Sequence, residues 1–115
     1  MFKIDGTTIS LTRGDTLITQ ITIMQGDKEY IPQEGDTIRF ALKRAQMKAD
    51  RTAFLDEKPL VIKQIPIDTL ILRVESADTK NLAFGNYIYD IQITMADGTV
   101  DTFIQGRLIL EAEVQ

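Results

Sequence analysis

The chain has 115 residues, 43% of them hydrophobic and 26% charged, with a formal charge of −4 and neither histidine nor cysteine. That length buries roughly two thirds of the surface an unfolded chain exposes, enough for one domain spanning residues 1–115. The acidic balance argues against nucleic acid and membrane surfaces as partners, and the missing residues remove disulfides, the usual transition-metal ligands and His-assisted nucleophiles.

The first ten residues, "MFKIDGTTIS", hold one lysine and a very short apolar patch before turning polar. That is no secretory leader, so synthesis in the cytoplasm without a signal peptide is expected. No apolar run approaches the ~20 residues that span a bilayer.

Next comes "LTRGDTLITQ". Arg13-Gly14-Asp15 is the tripeptide that integrins read. A glycine directly before a strand also serves a chain reversal, and Asp15 can accept a backbone hydrogen bond as the strand begins. The turn is the reading adopted, with Thr16 opening the strand. Along "TLITQITIMQ", Leu17, Ile21 and Ile23 share one face. In "DTIRFALKRA", Ile38, Phe40 and Leu42 face one way and Arg39, Ala41 and Lys43 the other, the pattern of a half-buried strand.

The charge-rich "RAQMKADRTAFLDEKP" reads as a long connection, mobile over residues 45–51 and anchored by Phe54. Its neighbouring Asp56 and Glu57 read as a solvated face. A glycosidase pair needs carboxyl groups ~5–9 Å apart across a cleft. "PLVIKQIP" and "DTLILRVES" are two short strands separated at Pro66-Ile67-Asp68. In "ESADTKNLAFG", Ser76 is a candidate N-cap and Gly85 a terminator, which predicts a single helical turn crossing between sheets.

"NYIYDIQITM" puts Tyr87, Tyr89, Ile91 and Ile93 on one face. Tyr87, two residues after Gly85, has the spacing of a tyrosine corner, a reading preferred over sugar stacking by Tyr87 and Tyr89. Asp97-Gly98 predicts a hairpin. Gly106, between "TVDTFIQG" and "RLILEAEV", predicts a bulge or kink. In the last segment Leu108, Leu110, Ala112 and Val114 face one way and Ile109 the other. This predicts a strand covered on both sides and makes Ile109 a candidate interface residue.

Asp15, Asp27, Glu34, Asp36, Asp97 and Asp101 lie at turns or strand ends. No D-x-D-x-D-G loop occurs, so these read as turn formers rather than calcium ligands. No catalytic residue, metal site or cofactor is expected. The alternation and the turn spacing predict an all-β antiparallel sandwich, with a barrel as the second choice.

The motifs in order are Arg13 to Thr16; Ile38 and Phe40; Thr79, Leu82, Gly85, Tyr87, Tyr89 and Ile91; Asp97, Gly98, Val100 and Thr102; and Gly106. In that order and spacing the chain resembles the N-terminal domain of phage baseplate upper proteins. The resemblance implies an immunoglobulin-like antiparallel β-sandwich with one short helical turn in a crossover loop. It implies a non-enzymatic virion module of a tailed-phage or prophage tail or baseplate. Such a module works by protein–protein assembly with other tail proteins or with itself, as a homo-oligomer. Members of that family often continue into a shaft or receptor-binding region. This chain stops at Gln115, which implies a small adaptor. The rival expectation is a bacterial surface adhesion or carbohydrate-binding module.

Overall fold

The computed structural model describes residues 2–44 and 59–112. The expected mobile stretch 45–51, the Phe54 anchor, the Asp56–Glu57 pair and Val114 lie outside the described residues.

Among the described residues, ten strands and one helical turn follow in order: β1 (Phe2–Asp5), β2 (Thr8–Thr12), β3 (Leu17–Gln20), β4 (Met24–Gln25), β5 (Lys28–Glu29), β6 (Thr37–Arg44), β7 (Val61–Ile65), β8 (Ile71–Val74), α1 (Ser76–Thr79), β9 (Gly85–Thr94) and β10 (Val100–Glu111). Six strands form one sheet in the order β1-β2-β10-β9-β6-β7, β3 pairs with β8 as a second layer, and β4 pairs with β5. This is the expected all-β sandwich with a helical turn in the β8–β9 crossover. Among the described ladders β2–β10 is parallel and the others are antiparallel.

Period-two alternation builds the core, because successive strand side chains point to opposite faces. Ile38, Phe40 and Leu42 of β6 and Tyr87, Tyr89, Ile91 and Ile93 of β9 point inward and are buried. They meet Leu17 of β3 and Leu72 and Val74 of β8 in one cluster, which Ile21 and Ile23 extend. Burying each such side chain contributes roughly 1.5–3 kcal/mol before the entropy of ordering it.

Three local expectations change. Ala41, expected on the wet face, is 1% exposed. It stands between Ile62 on β7 and Asp90 on β9, and so short a side chain in a central strand lies below its neighbours' reach. The N-cap of α1 is Glu75, not Ser76, and the Glu75 N–H donates to Asp78 Oδ2 at 2.7 Å. A carboxylate three residues on completes a capping box from either side, so Ser76 is not needed as the cap. The turn ends at Thr79 with Lys80 as C-cap, and Gly85 instead opens β9 at φ 135°, a conformation that L side chains rarely adopt.

Candidate functional site: two polar clamps and an apolar groove

The R-G-D arm lies along the crossover. Gly14 N–H donates to Thr79 Oγ1 at 3.3 Å, and Asp15 N–H donates to Thr12 O at 3.0 Å. Arg13 Nη1 donates to Leu82 O at 3.3 Å, and its guanidinium stands 4.0 Å from the Phe84 ring centroid. Tyr87, buried beside them, donates its hydroxyl to Ala83 O at 2.5 Å. Arg13, Gly14, Gly85 and Tyr87 thus meet at one corner, and Thr16 is half-buried next to the arm. These hydrogen bonds of the corner run to the chain's own backbone and to the Thr79 side chain, the work of a clasp. Ala83 and Phe84 belong to it although no spacing rule singled them out. Only the bonds themselves reveal them.

Tyr89 serves a second clamp. Its hydroxyl donates to Thr7 O at 2.6 Å, its ring lies 5.5 Å from that of Phe40, and burial pushes the phenol pKa up. Gly106 stands underneath. A Cβ there would lie 2.2 Å from Thr7 O and 2.9 Å from Tyr89 Oη. The expected bulge is not at Gly106, which pairs with Tyr89 in regular register. The irregularity falls between Thr102 and Ile104. Gly106 is glycine because another backbone approaches it.

Asp97 and Gly98 form the β9–β10 turn. Asp97 Oδ1 accepts from Thr99 N–H at 2.9 Å, and Gly98 has φ 93°. The Thr99 N–H holds the Asp97 carboxyl below the usual carboxylate range. Asp36 is 6% exposed and ties this turn to the loop before β6. It accepts from the Tyr30 hydroxyl at 2.6 Å, Gln33 N–H at 2.8 Å and Ala96 N–H at 3.3 Å. The Tyr30 hydroxyl first, and then the Gln33 N–H, lower the Asp36 pKa, while the same contact raises that of Tyr30. The acidic turn residues gather no ligand set: among the described residues no group of three or more His, Cys, Asp or Glu could hold a metal ion.

Ile109 points to the outer face of the large sheet. Its neighbours in register are Ser10 on β2 and Asn86 on β9, so it stands between polar residues.

An apolar groove opens on the described surface. A groove of about 190 Å³ runs between the β1–β2 hairpin and β3, lined by Ile4, Ile9, Ile21, Leu72, Ile91 and Ile104 among others. At its rim Ile4 is 41% exposed. Among the described residues the layers differ in width, six strands in one sheet and two in the β3–β8 pair, and the groove lies beside the narrower layer.

No family model and no curated protein matches the chain. Solved structures similar to the chain include the following two. The PmoD soluble domain from Methylocystis sp. ATCC 49242 (Rockwell) has a TM-score of 0.46 at 14% identity, covering 96% of this chain and 97% of that one. CopC from Methylosinus trichosporium OB3b has a TM-score of 0.38 at 15% identity, covering 71% and 72%. Likenesses of this size bring no chemistry to this chain, whose own sequence lacks histidine and cysteine.

The phage resemblance is corrected. No family model matches, and the similar solved structures include a PmoD domain and a CopC. The virion function, with its adhesion or carbohydrate-binding alternative, and the virion location are overturned as well. The physical reason lies in the motifs. The R-G-D start, the Gly-x-Tyr corner and the Asp-Gly turn each perform a backbone task here, and a sandwich needs such tasks whatever it does.

Proposed function

We propose that this sandwich is a non-enzymatic binding module that joins another polypeptide, a second copy or a different chain, and takes neither nucleic acid nor a membrane surface. The observation that carries this reading is the apolar groove beside β3, with Ile4 exposed at its rim and no described strand lying over it. Apolar surface of that kind favours burial against a partner. The formal charge of −4 supports the exclusion of phosphate backbones. The polar clusters support the absence of catalysis, because the hydroxyls of Tyr87 and Tyr89 donate to the chain's own backbone and Asp36 accepts from the chain itself. Metal handling forms no part of the proposal, since the sequence has no histidine or cysteine and the described residues hold no group of three or more His, Cys, Asp or Glu that could bind an ion.

Light scattering over a wide concentration range, together with cross-linking in a native extract, tests the reading. A mass that rises with concentration, or a discrete cross-linked complex with a second polypeptide, is expected. A chain that stays monomeric throughout and cross-links to no polypeptide overturns it, as does saturable binding to duplex DNA or anionic vesicles.

A further inference from the structure

Resting on that reading, we infer that the groove accepts one extended polypeptide strand, which adds to the free edge of β3 and lays alternate apolar side chains over β1 and β2. The backbone makes the first argument. Among the described residues β3 pairs on one side, with β8, in the register Leu17↔Val74, Ile18↔Arg73, Thr19↔Leu72 and Gln20↔Ile71. Just past its end, Ile21 N–H donates to Leu70 O at 2.8 Å, toward the β8 side. Backbone groups along a strand alternate in direction, so Leu17 and Thr19 also turn toward β8. Ile18 and Gln20 then direct their N–H and C=O groups to the other side, where no strand pairs with them among the described residues. That edge is a template for a further strand.

The groove makes the second argument, because it lies on that same side. Thr19, Gln20, Ile21 and Thr22 form one wall, and Ile4, Gly6 and Thr7 of the first hairpin form the other. A strand bonded to Ile18 and Gln20 would send every second side chain inward, onto Ile4, Ile9 and Ile104. At about 190 Å³ the space is smaller than the roughly 300–1,000 Å³ that encloses a drug-sized ligand, and it suits side chains entering from a backbone outside. The outward side chains would flank Ile18, which is itself exposed. A second copy offering its own β3 does not fit, because its β1–β2 hairpin flanks that β3 and would enter the same space. The occupant is therefore a lone strand, apolar at alternate positions. Basic flanks would suit a chain of charge −4.

The test uses heptapeptides selected from a randomised library against the purified chain, with amide hydrogen exchange read at Ile18 and Gln20. Both amides are expected to exchange fast in the free protein and to become protected by the peptide. Ile21, already bonded, should change little. The selected peptides should carry apolar residues at alternate positions. Methylating the two peptide nitrogens that face β3 should weaken binding roughly tenfold or more, as expected for two lost hydrogen bonds. Ile4→Lys, at a site exposed enough to tolerate it, should weaken binding without lowering the melting temperature. Peptides that bind equally well when methylated, or that protect β1 or β7 instead of Ile18 and Gln20, overturn the proposal, and so does a library that yields no saturable binder. The broader reading is tested separately. If the chain associates in light scattering while Ile18 and Gln20 keep exchanging fast, strand addition at β3 fails and the binding module stands.

Discussion

Tyr87 and Tyr89 stand two residues apart on one face of β9, yet their hydroxyls hold different parts of the chain: the crossover at Ala83 and the first hairpin at Thr7. The Tyr87 spacing was legible because a corner is a local device. The Tyr89 bond joins residues 82 apart, and nothing in the sequence announces it. Tyr87→Phe keeps the buried ring and removes the bond. Ala83 is exposed, so water can replace the lost donor at its carbonyl, and the cost should be about 0.5–1.5 kcal/mol in a urea titration. An unchanged midpoint would mean that the corner bond adds nothing. Gly106→Ala has a harsher geometry, because the new methyl meets the Thr7 carbonyl oxygen, part of the backbone, at 2.2 Å. The hairpin must shift and the Tyr89 bond must stretch. A loss of about 1–3 kcal/mol is expected, seen as a lowered thermal midpoint. Equal melting of the two proteins would show that the hairpin is looser than described.

At the scale of elements, the loop before β6 is held to the β9–β10 turn through Asp36. The sequence showed only an acidic turn residue there, since burial at 6% depends on Ala96, sixty residues away. The Asp36 pKa is lowered in the folded state, so its carboxylate stabilises the fold fully above its ordinary range, near pH 4. That stabilisation is lost as pH falls through the lowered folded value. Asp36→Asn should therefore unfold at lower urea than the wild type at pH 7, and the two midpoints should converge as the pH drops well below 4. A gap that stays constant with pH would show that the charge on Asp36 carries none of the effect. The helical turn was legible too, one residue out at its cap, because Glu75 and Asp78 close the capping box and Ser76 does not.

At the scale of the whole molecule, β2 pairs in parallel with β10, Ile9 opposite Leu108 and Leu11 opposite Leu110. Almost the whole chain must close before these residues meet, and loop closure opposes that step. Folding dominated by such distant pairings should take milliseconds to seconds, as followed by stopped-flow fluorescence of the tyrosines. Microsecond relaxation would contradict this topology.

The sequence by itself determined which residues face the core and where the chain turns. Alternation is a property of each strand alone, so Phe40, Tyr87 and Ile91 could be placed before any partner was known. Turn chemistry is equally local, so Asp97-Gly98 marked its hairpin. Tertiary structure alone decided which strands lie side by side, because backbone hydrogen bonds are blind to side-chain identity. It also decided what the motifs are for. A string of turn signals can belong to many sandwiches, and only the partners of Arg13, Tyr89 and Gly106 showed that they hold this chain to itself. The groove could not be read from the sequence at all, since it lies between the first hairpin and β3, whose approach depends on how the layers stack.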